Sequence, residues 1–177
     1  MKLISLLAAM LMILASCTTA PNSENERQML VQQSTDSLKQ MQAEDSSLHS
    51  FLEHSYGYAI FPSVGKGGFI AGGAYGRGIL YEKGRMIGYS DLSQATVGLQ
   101  AGGQSYSELV VFEQQRDFDR FIGGRFTFSA NASAVAIKTG AASAAQYTDG
   151  VAVFVEPIGG LMVEAAIGGQ QFTYIPR

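Results

Sequence analysis

Tyr58-Ala59-Ile60-Phe61-Pro62-Ser63-Val64-Gly65-Lys66-Gly67-Gly68-Phe69-Ile70-Ala71-Gly72-Gly73-Ala74-Tyr75-Gly76-Arg77-Gly78 interleaves glycine with apolar and aromatic residues. Glycine in a helix interior costs about 1 kcal/mol relative to alanine, so this density excludes a long helix. It predicts short, twisted strands joined by tight turns. All 21 glycines of the 177-residue chain lie at position 57 or later. The same reading therefore extends to the C-terminus.

Working outward, the predicted strands are Tyr58–Phe61, Gly68–Tyr75, Gly78–Tyr81, Arg85–Tyr89, Ala95–Ala101, Ser107–Phe112, Arg125–Ala130, Ala132–Lys138, Ala152–Glu156, Leu161–Ile167 and Gln171–Ile175. Glu82-Lys83-Gly84-Arg85 and Ile158-Gly159-Gly160 read as hairpin turns, and Gly65-Lys66-Gly67-Gly68 as a glycine turn. Apolar residues alternate with small or polar ones in several of these segments. A period of two puts one apolar set on a buried face. One helix interrupts the strands at Glu113–Ile122 and ends at Gly123-Gly124.

Upstream the composition changes. Between Met29 and His54 there is neither Gly nor Pro, and Leu30, Ser34, Leu38, Met41, Leu48 and Phe51 fall near one helical face. One or two amphipathic helices are predicted, with a break near Asp45-Ser46-Ser47. The expected fold is α+β and β-dominated. An N-terminal amphipathic helix or helices lead into a Gly-rich, antiparallel, barrel-like sheet with one inserted helix.

The first residues carry an address. Met1-Lys2 precedes an apolar run from Leu3 to Ala15, broken only by Ser5 and followed by Ser16-Cys17. The run is too short for a spanning helix, which needs roughly 20 residues. It has the layout of a secretory signal peptide. Leu14-Ala15-Ser16-Cys17 resembles the bacterial lipobox. The resemblance implies cleavage before Cys17, acylation of its thiol and, with Thr18 rather than Asp next, sorting to the outer membrane facing the periplasm. The expected organisation is a signal peptide at 1–16, a lipidated tether at 17–28 and one domain at 29–177, with a helical lead-in at 29–56 and a β core at 57–177. Cys17 is the sole cysteine, so its acylation leaves neither a disulfide nor a thiolate nucleophile.

Loss of Lys2 with the leader leaves 11 basic residues against 15 acidic ones. That balance argues against nucleic acid and against broad adsorption to anionic membranes. Gly65-Lys66-Gly67-Gly68 lacks the spacing of a phosphate-binding P-loop. Two readings of it stand: a plain turn, or backbone N–H groups and Lys66 holding an anionic head group with Arg77 as companion. His49 and His54 are five apart, and metal pairs on a helix prefer four. Asp117 and Asp119 flank Phe118 and project in different directions. No nucleophile elbow occurs. No metal, cofactor or catalytic constellation is predicted. Phe61, Phe69, Tyr75 and Tyr89, among small neighbours, are either core aromatics or contacts for an acyl chain.

Several ordered blocks carry a family likeness. Tyr58–Gly78, then Asp91–Glu108 with Leu109-Val110-Val111-Phe112, then Phe126-Thr127-Phe128 and the Ala/Ser-rich segment behind it resemble the SYLF domain, over most of residues 57–177. The resemblance implies binding of phospholipid or phosphoinositide-type amphiphiles without catalysis. Many members carry a mid-domain Trp, where this chain has Tyr89. The SH3 domain of the actin-patch members is absent here, so their actin-related roles do not carry over. The alternative is an envelope scaffold that holds a partner protein.

Overall fold

The computed structural model describes residues 21, 23–68, 71–97, 103–124, 126–128, 134–159 and 167–177. The leader, Cys17, Phe69 and nearly all of the strand expected at Leu161–Ile167 lie outside them.

Helix α1 spans Glu24–Glu44. The Ser23 hydroxyl accepts from the Glu26 amide at 3.2 Å, and Glu24 and Glu26 sit in the first turn, where acidic groups suit the helix dipole. Residues 24–28, expected in the tether, are therefore helical. Leu30, Ser34, Ser37 and Met41 are buried along one face. The expected break falls at Asp45, and α2 follows at Ser47–Glu53. Asp45 itself is almost wholly buried. Its carboxylate accepts from the Ser47 amide (3.0 Å), the Ser47 hydroxyl (2.6 Å), the Gly140 amide (3.1 Å) and the Ala142 amide (2.6 Å). One side chain thus starts α2 and ties the helices to a distant loop.

Strands β1 (Gly57–Gly68), β2 (Ala71–Glu82), β3 (Arg85–Val97) and β4 (Gly103–Phe112) form a meander. Helix α3 (Gln115–Ile122), β5 (Val135–Ala136), the short α4 (Ala141–Ala144), β6 (Val151–Pro157) and β7 (Gln171–Pro176) complete the described fold. The sheet order is β5-β6-β4-β1-β2-β3-β7. All pairs are antiparallel except β5 with β6. The barrel-like expectation is corrected: the sheet is open, with β5 and β7 at its edges. Elements on both faces supply the burial that closure would otherwise provide.

The glycine turn expected at Gly65–Gly68 is also corrected. These residues continue β1, paired with β2 on one side and β4 on the other. Chain reversal comes after Gly68. Glycine's role within these strands is close approach. A Cβ on Gly78 would lie 2.5 Å from the Ile60 carbonyl oxygen and 2.6 Å from the Phe61 ring. The turn at Glu82–Arg85 does form, with Lys83 and Gly84 at φ 47° and 75°, as a tight hairpin requires.

A bulge decides which residues face where. The β1 register shifts around Pro62, between Phe61 and Val64 against β4 and between Ile60 and Ser63 against β2. Proline has no N–H to give the ladder, and its carbonyl instead accepts from the Ser107 hydroxyl at 2.9 Å. Past the bulge, Val64 and Lys66 share the face of Ala59 and Phe61. That face, called inner here, carries an aromatic core: Phe61, Phe112, Phe118, Phe121, Phe126 and Phe172. The outer face carries Ile60, Ile79, Leu109 and Val111 under Leu30, Met41 and Leu48 of the helices.

Asp45→Ala is expected to destabilise the fold by about 3 kcal/mol in urea unfolding, because it orphans several buried donors. Burial acts to raise the Asp45 carboxyl, but the hydrogen bonds outweigh it and hold it below its usual value. Its contribution is present above the unfolded carboxyl pKa and is lost as pH falls through the lower folded value. The acid limb of the stability profile should flatten in Asp45→Ala.

Candidate functional site

Residues directly opposite one another in an antiparallel ladder share a face. Lys66 on β1 pairs with Ala74 on β2 and Gln104 on β4, and Ala74 pairs with Gln94 on β3. The result is a polar row, Gln104-Lys66-Ala74-Gln94, across the inner face. Lys66 is only 8% exposed and Gln94 6%. Among the described residues the Lys66 ammonium has no ion-pair partner. A lysine so enclosed keeps its methylene stem packed along the face and leaves its ammonium to meet an anion.

Deeper on the same face stand Tyr106 and Glu108 of β4, at 1% and 0% exposure. The segment Ile167–Gln170 crosses above them. Gln170 donates from Nε2 to Glu108 Oε2 at 2.9 Å, close to the Tyr106 hydroxyl. Gln94 donates to the Gly168 carbonyl at 2.7 Å. Of the buried oxygens without a partner among the described residues, Gln94 Oε1, Glu108 Oε1 and Gln170 Oε1 belong to this group of side chains. Beside them Phe172 meets Phe61, Phe121, Phe126 and Phe128 at centroid distances of 5.8, 4.8, 6.2 and 5.7 Å. A cation, unmet acceptors and an aromatic floor thus share one face. This is the environment a molecule with a charged, hydrogen-bonding head and an apolar body needs.

Burial pushes the Glu108 carboxyl up to about 8, and the Gln170 hydrogen bond offsets only part of that. Glu108 is therefore mostly neutral at pH 7. Burial, followed by the Glu108 charge, raises the Tyr106 phenol as well.

The expected site residues do not all converge. Arg77 lies three residues beyond Ala74 on β2, and an odd separation sends it to the outer face. There its Nε is 3.0 Å from the Tyr75 hydroxyl and 3.7 Å from Asp91 Oδ1. Lys66 and Arg77 are thus on opposite sides of the sheet and cannot grip one head group together. Tyr75 is exposed on the outer face, and Tyr89 is buried there with the Arg27 guanidinium 5.9 Å above its ring. Of the four aromatic candidates, Phe61 alone is described on the face of Lys66. His49 lies 3.3 Å from Glu53 on the surface of α2, and His54 is bonded to the Ser50 carbonyl. The sequence reading missed Gln94, Glu108 and Gln170. Glu108 had a signal: it shares parity with Val110 and Phe112 in an apolar strand. Gln170 had none, because it reaches β4 from the far edge of the sheet.

Residues 93–174 match a family model described as Ysc84, Las17-binding protein actin regulator. The match covers somewhat less than half of the chain and agrees with the SYLF likeness drawn from the sequence blocks: over that span the chain is similar to the Ysc84, or SYLF, family. The chain is also 27% identical over 132 residues to Beta cell expansion factor A of Aeromonas veronii. That alignment takes in 73% of this chain and 49% of the relative, so the chain spans about half the length of the curated relative it matches. No helix among the described residues is long and apolar enough to cross a membrane.

For Glu108, the folded state holds a proton that the unfolded state releases near pH 4.5. Stability should therefore fall as pH rises from about 4.5 to about 8 and then level off. Glu108→Gln should remove that slope. Urea unfolding at pH 5 and pH 8 should show wild type losing about 3 kcal/mol more than the variant over the interval.

Proposed function

We propose that this protein is an envelope lipoprotein, anchored through acylated Cys17 and facing the periplasm from the outer membrane. Its SYLF domain binds one anionic amphiphile of the phospholipid class without catalysis. The head group sits at Lys66 with the glutamines beside it, and the acyl part lies along Phe61 and Phe172. The observation that carries this reading is Lys66: a cation 8% exposed, without an ion-pair partner among the described residues, on the aromatic face. A phosphate would meet that ammonium with charge-assisted hydrogen bonds on a face otherwise lined by apolar rings. The unmet glutamine oxygens suit hydroxyl or amine donors on the same ligand. The family description adds support for a binding role over a chemical one.

Lipid extracted from the purified protein and weighed by mass spectrometry tests this. About one anionic phospholipid per folded domain is expected beyond the covalent anchor. Lys66→Gln should reduce its retention roughly tenfold or more, in line with the loss of a charged hydrogen bond. Arg77→Gln, on the opposite face, should leave retention unchanged. A wild-type protein free of extractable lipid, or equal losses in both variants, would defeat the proposal.

A protein-binding module is the second reading, and the family description favours it by naming a protein partner for that family. Crosslinking in intact cells separates the two. One stoichiometric protein partner together with an empty Lys66 site would support the scaffold.

A further inference from the structure

Among the described residues, helices cover only one end of the outer face of the sheet. α1 and α2 lie over the end that holds Ile60, Ile79 and Val111. Toward the other end, strand register sets out one continuous row: Ile158, Ser105, Gly65, Tyr75, Ser93 and Gln171. Every residue in it is exposed and none is charged. A Cβ at Gly65, in the middle of the row, or at Gly67 beside it would meet nothing within 4 Å, so there is open space directly over these positions.

Large apolar side chains gather here. Among the described residues, the exposed ones are Met29 (56%), Tyr75 (49%) and Ile158 (46%). Tyr75 and Ile158 stand in the row. Met29 stands at its margin, lining a depression with Pro62, Ser63 and Arg77. Pro21 lines the same depression and is buried there. Cys17 is four residues earlier, a length that spans at most about 14 Å. An anchor on Cys17 would therefore leave the fold on the side of the sheet that carries this row.

We propose that the Met29–Tyr75–Ile158 face is the surface this domain lays against the bilayer that holds its anchor. The inference rests on the anchored-lipoprotein reading for how the domain reaches the membrane, but it is independent of the Lys66 site. Tyrosine suits the interface because its ring is apolar and its hydroxyl is not. β1, which carries the bare glycines, is hydrogen-bonded to β2 on one side and β4 on the other, so covering them strands no backbone donor. The row itself holds no charge, and the Arg77 guanidinium at its margin is paired with Asp91 and bonded to the Tyr75 hydroxyl, so contact there covers a compensated pair and not a lone ion. Lys66 then faces away from the anchoring membrane, and its ligand reaches it from the aqueous side.

Tyr75→Cys, Ile158→Cys and Glu53→Cys test this in the full chain, since acylation would consume Cys17. Glu53 is exposed on α2, at the opposite end of β1. Each thiol is labelled with an environment-sensitive dye in isolated membranes and exposed to iodide or to a lipid-borne spin quencher. The labels at residues 75 and 158 should shift to the blue and respond to the lipid-borne quencher, while the label at 53 responds to iodide. Equal iodide access at all three positions would overturn the inference even if the protein stays in the membrane fraction. If the protein is instead released as a soluble species, the anchor reading fails separately. The released protein is then mixed with phosphatidylethanolamine–phosphatidylglycerol vesicles. Support would be flotation that falls about tenfold in Tyr75→Asp/Ile158→Asp. No flotation, or flotation equal to the unsubstituted protein, overturns the inference.

Discussion

Pro62 has no N–H to give, and β1 absorbs that missing donor as a bulge between Phe61 and Val64. One residue of slip in a strand exchanges its two faces. Without this bulge, Lys66 would point outward beneath the helices and Gly65 would point into the aromatic core. With it, Val64 and Lys66 join Phe61 on the inner face, and Gly65 drops into the bare outer row. Both surfaces on which function is argued here depend on that single irregularity. The Ser107 hydroxyl, 2.9 Å from the Pro62 carbonyl, helps hold it in place.

The two faces then follow different physics. The inner one combines a phenylalanine cluster and the largely enclosed Lys66 with groups that burial penalises: a carboxyl kept neutral near pH 7 and amide oxygens without partners among the described residues. A fold selected for stability alone would fill those positions with apolar side chains, since half-satisfied buried polar groups cost more than they return. The outer face is ordinary where α1 and α2 cover it and nearly featureless beyond them. The family match begins at residue 93, after Lys66, β1 and β2. The polar row therefore joins Gln94 and Gln104 from the matched span to a lysine contributed by the preceding strands.

Much of the architecture was legible in local pattern. The Gly- and Pro-free stretch gave helices, and Asp45 marked their break because a short acidic side chain can take up backbone amides at a helix start. Lys83-Gly84 marked its hairpin through the positive φ both residues must adopt. The inserted helix with Phe118 and Phe121 was readable from its spacing and its closing glycines. Gly65–Gly68 was misread because glycine serves a turn and a tightly crossed strand equally well. Which one it serves depends on φ, and φ there is set by Tyr75, Ala74, Ser105 and Gln104 on the neighbouring strands. Lys66 and Arg77 were joined as one site for the same reason: a turn would have let both reach one point, whereas extended strands separate them by parity.

Composition and spacing by themselves determined the class of fold, the helical lead-in, the inserted helix and the SYLF likeness. These are local properties: helix propensity, period and turn chemistry act over a few residues and need no partner. Register, face and burial were decided only by the tertiary structure. A lysine two strands from Gln94 is exposed or enclosed according to which strand lies beside it and where a proline interrupts the ladder. Pairing across the sheet carries that information, and no window along the chain contains it.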